Sequence, residues 1–161
     1  MRETKECYEQ VTRPYIDSLS STSVQWIYDI LEHKEEQDRI IYENERFILL
    51  PDFKWDAKDA KSLYCIALVK QRCLRSVRDL GFEHVHLLRD ILTTSTEIIE
   101  RRWNVSRTEL LVYVHYLPSF FHFHVHLACT HKMLYPETLS IGRALFLEDV
   151  IDNLLNDHKY W

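Results

Sequence analysis

The chain has 161 residues, of which 46% are apolar and 28% charged, a composition typical of one soluble globular domain and unlike disordered, collagen-like or low-complexity proteins. Asp and Glu total 25 against 20 Lys and Arg, a net charge of -5, which excludes a diffuse basic surface for binding long nucleic acids. Only 2 glycines and 4 prolines occur, too few for the turns of a many-stranded sandwich or propeller.

The cysteines and the N-terminus indicate the compartment. Cys7, Cys65, Cys73 and Cys129 form no CxxC pair, so we expect reduced thiols. The N-terminus is polar, and apolar runs reach only about six residues against the roughly 20 of a membrane helix. We therefore expect neither a signal peptide nor an anchor, and a protein of the cytoplasm and the nucleus.

Apolar spacing predicts the elements of the first half. Val24, Ile27 and Leu31 follow a candidate N-cap, Ser23, at helical spacing, which predicts a first helix over residues 23–39.

The next apolar segments are shorter. Residues 39–42 and 46–50 predict a hairpin, and residues 63–69 form a continuous apolar run typical of a buried central strand. Residues 83–102 predict a long amphipathic helix.

In the second half, residues 110–116 and 121–129 alternate in strand fashion around a break at Pro118, which predicts an antiparallel hairpin. Residues 141–155 return to helical spacing. The sequence therefore predicts an α+β domain, in which a few helices pack on an antiparallel sheet.

The most informative segment alternates histidines with apolar residues. His122, His124 and His126 stand at every second position, so in a strand their imidazoles point to one face. His115 lies on the partner strand of the predicted hairpin, where the register decides whether it joins them.

This row has three interpretations. It is a solvated polar face, a zinc site of three imidazoles, or a phosphate site. In a phosphate site one neutral imidazole attacks phosphorus while its neighbours donate hydrogen bonds to phosphate oxygens. Ser119 at the turn adds a hydroxyl and a backbone N–H.

Residues 122–128 read His-φ-His-φ-His-φ-φ, where φ is apolar, and resemble the signature of the histidine triad superfamily of nucleotide hydrolases and transferases. Residues 49–55, 75–80 and 111–119 are similar to the catalytic domain of the scavenger mRNA decapping enzyme family. The likeness runs over residues 24–155 and implies a histidine triad fold.

The resemblance implies a reaction and its residues. The family hydrolyses the m7GpppN cap to 7-methylguanosine monophosphate (m7GMP) through a phosphohistidine, without metal or cofactor. By position the nucleophile is His124, and His122, His126 and His115 are the supporting histidines. Ser119 matches a serine that contacts phosphate.

The family's cap pocket also carries over by position. Trp26 matches the tryptophan that stacks on cationic 7-methylguanine, and Glu36 matches the acid that accepts hydrogen bonds from the base. Asp52 and Lys54 match residues that contact base, ribose or phosphates. Arg143, near the start of the last predicted helix, is a further candidate for phosphate contact.

Two features depart from the family. Its proteins are longer and carry an N-terminal domain that closes over the cap, whereas here residues 1–22 form an expected extension before a catalytic domain at residues 23–161. Phe120 stands where the family generally has tyrosine, so one phosphate-directed hydroxyl is missing.

These departures leave alternatives to a cap hydrolase. One is a general histidine triad hydrolase of phosphoramidates or dinucleoside polyphosphates, and another is a cap-binding module without strong catalysis. The expected partners are a capped dinucleotide or short capped RNA fragment, with no long nucleic acid or membrane, and a second copy of the chain in a homodimer.

Overall fold

The computed structural model describes residues 3–133, 136–140 and 142–157. Its centre is a six-stranded sheet in the order β1-β2-β3-β5-β4-β6, and every neighbouring pair is antiparallel. The strands are β1 (Tyr42–Glu43), β2 (Phe47–Pro51), β3 (Tyr64–Val69), β4 (Leu110–His115), β5 (His124–Cys129) and β6 (Ala144–Phe146). The predicted α+β class and the predicted pairing of β4 with β5 are confirmed.

The two faces of the sheet have different coverings. Phe47 and Leu49 of β2 point into the larger apolar cluster, whereas Ile48 and Leu50 point into a smaller cluster on the opposite face. This alternation follows from the period of two along a strand. The larger cluster is the main core.

Helices cover both faces. Helix α4 (Val85–Trp103) and helix α5 (Leu147–Asn156) contribute apolar side chains to the main core. Helix α3 (Gln25–Leu31) packs Ile27 and Ile30 against the smaller cluster. The long helix predicted over residues 83–102 is therefore confirmed to within two residues at its start.

The N-terminal segment is helical and is attached to the body. It consists of α1 (Lys5–Cys7), a π-helical turn (Tyr8–Thr12) and α2 (Arg13–Ser18). Glu3 accepts hydrogen bonds from Arg78 and Tyr116, which fastens this segment to the loops that follow β3 and β4.

The prediction of a first helix over residues 23–39 is wrong in its extent. The helix ends at Leu31, and His33 and Glu36 adopt positive φ angles of 57° and 53°. Residues 32–36 are polar or charged, so a continued helix would bury no apolar side chain there. A short 3₁₀ turn at Gln37–Arg39 follows, and the predicted hairpin strand over 39–42 reduces to β1.

The last predicted helix is also corrected. The helix starts at Leu147, and the residues before it form the edge strand β6, which pairs with β4. Hydrogen bonds to a neighbouring strand outweigh the helical spacing of the side chains here. Ile141, where the prediction began, lies outside the described residues.

Two further sequence expectations concern membranes and thiols. Among the described helices, none combines the length and apolar character needed to span a bilayer. All four cysteines are free thiols.

Candidate active site

The ring of His124 lies at the start of β5 on the face that carries the smaller apolar cluster. The residue opposite His124 on β3 is Leu68, a member of that cluster. His124 is 5% exposed, and burial lowers the pKa of its imidazole to about 4. The ring is therefore neutral at pH 7.

One hydrogen bond settles which nitrogen of His124 carries the proton. Nδ1 lies 2.7 Å from the carbonyl oxygen of His122. A carbonyl only accepts, so Nδ1 donates and the lone pair belongs to Nε2. No described residue makes a hydrogen bond to Nε2, which leaves this nitrogen available as a nucleophile.

His126 lies two residues further along the same face. Its ring centroid is 4.9 Å from that of His124 and 4.7 Å from that of His115. Its Nδ1 lies 3.1 Å from the hydroxyl of Tyr64 and 4.0 Å from Oδ2 of Asp52. Burial, followed by the nearby imidazoles, keeps the pKa of His126 well below its usual value.

His115 is the last residue of β4, next to β5 in the sheet. His115 is two residues beyond Tyr113, which pairs with His126, and so lies on the same face of the sheet. This position explains the short distance between the rings of His115 and His126. The sequence left this proximity open, and the structure brings His115, His124 and His126 together.

His122 belongs to the row of three imidazoles that the sequence places on one strand face, but it lies outside the strand. It precedes β5, is fully buried, and lies edge-on to Tyr28 with its Nε2 2.7 Å from the carbonyl oxygen of Val69. Burial lowers the pKa of His122, and its Nδ1 has no hydrogen-bond partner among the described groups. The carbonyl oxygen of His122 accepts the hydrogen bond from Nδ1 of His124.

The turn between β4 and β5 brings an aromatic side chain onto the cluster. Phe120 stacks on His124 at 4.1 Å with an interplanar angle of 24°, and Trp26 of α3 meets Phe120 edge-on at 5.2 Å. Trp26 remains 39% exposed, so part of its ring is accessible to a ligand. Ser119 is exposed on this turn.

A second chain of contacts leads from Glu36 to the cluster. Oε2 of Glu36 accepts a hydrogen bond of 2.8 Å from Arg39, which also donates to the carbonyl oxygen of Pro51 at 3.2 Å. The next residue, Asp52, is buried, and its Oδ1 accepts from the backbone N–H of Lys54. Burial raises the pKa of Asp52.

Two cations lie close to His126. Lys54 and Arg143 are both near enough to lower the pKa of this histidine electrostatically. Arg143 precedes β6 rather than the last helix, and its carbonyl oxygen accepts the backbone N–H of Tyr116. These cations place positive charge beside the imidazoles.

Sequence reasoning missed three residues of this site. Arg39 links Glu36 to the loop after β2, and Tyr64 and Tyr113 stack on the ring of His126. The only available signal for the tyrosines was their position on buried strands, which predicts core packing equally well. Across the described parts of the chain, no cluster of three or more His, Cys, Asp or Glu side chains is arranged to hold a metal ion.

Comparison with solved structures supports the fold. The chain is similar to Hnt3 in complex with DNA and guanosine, with a TM-score of 0.55 and 16% identity over 83% of this chain and 78% of that one. The aprataxin ortholog Hnt3 from Schizosaccharomyces pombe gives a TM-score of 0.53 at 16% identity, over 86% of this chain and 75% of that one. The predicted histidine triad fold is confirmed.

Comparison with curated sequences supports the family. The chain is 43% identical to m7GpppX diphosphatase of Bos taurus, over 100% of this chain and 48% of the relative. It is 38% identical to m7GpppX diphosphatase of Schizosaccharomyces pombe, over 96% of this chain and 52% of the relative. The chain thus spans about half the length of the curated relatives it matches.

A family model described as scavenger mRNA decapping enzyme C-term binding matches residues 25–138. This range contains α3, the loop after β2 and the three clustered histidines. The family match and the identity to the curated relatives agree, and the chain belongs to the scavenger mRNA decapping enzyme family through that family's C-terminal part.

Proposed function

We propose that the protein is a hydrolase of the 5′-5′ triphosphate of the m7GpppN cap, acting on the dinucleotide or a short capped RNA fragment and releasing m7GMP. One observation carries the proposal. His124 is neutral, its Nδ1 proton is held by a carbonyl, and its ring centroid lies 4.9 Å from that of His126, which lies 4.7 Å from that of His115. Membership of the family supplies the substrate class.

The first step is attack of Nε2 of His124 on the phosphorus next to 7-methylguanosine. A bond forms between Nε2 and phosphorus, and the bond to the bridging oxygen breaks. The electron pair stays on that oxygen, which leaves as the terminal phosphate of a nucleoside diphosphate. The imidazole becomes positively charged, and its Nδ1–H donates more strongly to the His122 carbonyl.

The second step is attack of water on the same phosphorus. The nitrogen–phosphorus bond breaks, its electron pair returns to Nε2 of His124, and the water loses one proton to solvent. Because the phosphorylated ring is cationic, the neutral imidazole is a good leaving group. His115 and His126 stabilise the phosphate oxygens by hydrogen bonding in both steps.

We propose that residues in and after α3 bind the 7-methylguanine base of the cap. The accessible part of Trp26 stacks on the cationic base, and Glu36 accepts hydrogen bonds from the base N–H groups. Asp52, Lys54 and Ser119 contact ribose or phosphates, and Arg143 contacts phosphate. Trp26 contacts Phe120, which stacks on His124, and Glu36 pairs with Arg39, which donates to the carbonyl oxygen of Pro51.

The test is incubation of m7GpppG with the wild-type chain and with His124→Asn, followed by chromatography of the products. We expect m7GMP from the wild type alone. Tight binding of m7GMP without cleavage by excess protein would establish a cap-binding module instead. Equal cleavage of m7GpppG and its unmethylated counterpart would establish a general histidine triad hydrolase.

We also propose a homodimer and a location in the cytoplasm and nucleus. Exposed apolar side chains at Phe146 of β6 and Leu155 of α5 are suitable for contact with a second copy. Sedimentation equilibrium tests the dimer, and imaging of a fluorescent fusion tests the location.

A further inference from the structure

We propose that Tyr64 is a positioning residue that holds His126 in the tautomer with its proton on Nε2, and that Tyr113 holds Tyr64 in place. The inference rests on the proposed function, in which His126 donates a hydrogen bond to a phosphate oxygen. It assigns a role to two tyrosines that the catalytic steps do not use directly.

The three side chains form a continuous relay. The hydroxyl of Tyr113 donates to the hydroxyl of Tyr64 at 3.5 Å, and the Tyr64 hydroxyl lies 3.1 Å from Nδ1 of His126. The Tyr64 oxygen accepts from Tyr113, and in the proposed arrangement the Tyr64 hydroxyl gives its own proton to Nδ1. A nitrogen that accepts a hydrogen bond carries the lone pair, so the proton of His126 lies on Nε2.

Stacking fixes the plane of the imidazole as well as its proton. The His126 ring is stacked on Tyr64 at 5.5 Å and 18°, and on Tyr113 at 5.3 Å and 27°. All three residues are buried, so bulk water is a poor competitor for these hydrogen bonds. Burial also raises the pKa of Tyr64 strongly, which keeps its hydroxyl protonated and able to donate.

Asp52 favours the opposite tautomer. Its Oδ2 lies 4.0 Å from the same Nδ1, and a proton on Nδ1 would be attracted to the carboxyl group. That arrangement would turn the lone pair of Nε2 toward a phosphate oxygen and repel it. The Tyr64 hydroxyl is within hydrogen-bond distance and the carboxyl is not, so the geometry favours the proton on Nε2.

The experiment compares histidine ¹⁵N NMR spectra of the wild type, Tyr64→Phe and a control, Tyr42→Phe, without substrate. Tyr42 is a half-buried tyrosine that packs on Phe47, away from the relay. We expect His126 protonated on Nε2 in the wild type and the control, and shifted toward the Nδ1-protonated form in Tyr64→Phe. The His126 signals are assigned with a His126→Gln variant.

Steady-state cleavage of m7GpppG gives the second measurement. We expect Tyr64→Phe to lower kcat at least tenfold with KM changed less than twofold, because the ring remains and the hydrogen-bond donor is lost. Tyr113→Phe should shift the tautomer and kcat in the same direction by a smaller factor. This variant also serves as the test if Tyr64→Phe does not fold.

A wild-type His126 protonated on Nδ1, or an unchanged tautomer in both relay variants, would overturn the inference. The tautomer is measured without substrate, so it does not depend on cleavage. A wild-type chain that leaves m7GpppG intact would refute the proposed function, whatever the NMR spectra show.

Discussion

Burial of the imidazoles has a consequence for stability. The pKa of His124 is lowered from 6.5 to about 4 in the folded chain, mainly by burial. Between these values the unfolded chain binds a proton that the folded chain does not, so stability falls as pH falls from about 6.5 to about 4. The loss reaches roughly 3 kcal/mol at the acid end of this window.

The measurement is urea unfolding of the wild type and His124→Asn across pH 4 to 7. Asparagine does not titrate, so the free energy of unfolding of His124→Asn should decline less steeply toward acid pH than that of the wild type. The two slopes against pH should differ by the equivalent of up to one bound proton. His122 and His126, whose pKa values are also lowered by burial, keep part of the dependence in both proteins. Parallel profiles would contradict the assigned burial of His124.

Trp26 provides a test of cap selectivity. A cation–π contact with 7-methylguanine contributes about 1–2 kcal/mol, so Trp26→Ala should raise KM for m7GpppG roughly 5- to 30-fold. KM for unmethylated GpppG should change much less, because its base is neutral. Steady-state kinetics on both substrates measure this difference, and an equal change in both would place cap selectivity elsewhere.

The sequence predicted individual site residues unevenly. Side-chain alternation is enough to put His124 and His126 on one face, whereas the position of His115 depends on the register of β4 against β5. The fully buried ring of His122 and the stack of Phe120 on His124 depend on how the turn packs. No spacing rule encodes that packing.

Among the elements, the N-terminal segment is connected to the site through Tyr116, the residue after His115. Glu3 accepts hydrogen bonds from Arg78, Thr12 and Tyr116, and the Arg78 guanidinium lies over the rings of Tyr8 and Tyr116. Tyr116 immediately follows His115. The boundary between residues 1–22 and 23–161 stays a prediction, but the two parts share this cluster.

Loss of the Glu3 charge should therefore destabilise the whole chain. Glu3→Gln weakens partly buried, charge-assisted hydrogen bonds and should lower the free energy of unfolding by about 1–3 kcal/mol. Glu9→Gln is the matched control, since Glu9 forms a surface pair with Lys5 at 4.0 Å, and should change the free energy of unfolding by less than about 0.5 kcal/mol. Urea unfolding measures both, and equal effects would show that Glu3 does not fasten the segment.

The periodicity of apolar residues predicts the bounds of some helices and strands and not of others. Helix α4 repeats apolar residues over five turns, so its position follows from spacing alone. The three-residue strand β6 is too short to show a period, and it forms because the edge of β4 offers hydrogen bonds. The early end of α3 depends on local positive φ angles.

In the molecule as a whole, one face of the sheet packs the main core and the other carries the candidate active site. One face buries the main core under α4 and α5, and the other carries α3, the smaller apolar cluster and the rings of His124 and His126. Strands β3 and β5 lie between paired neighbours, which holds the nucleophile on a rigid element. The pattern of apolar residues predicted this division of faces on β5.

The proposed reaction requires a bond between Nε2 of His124 and phosphorus. The most direct measurement is mass spectrometry of peptides from wild-type protein that is quenched in alkali during turnover of m7GpppG. We expect a 7-methylguanosine monophosphoryl group on His124, which is absent from His124→Asn. Release of m7GMP with no such adduct, or with the adduct on another histidine, would contradict the proposed reaction.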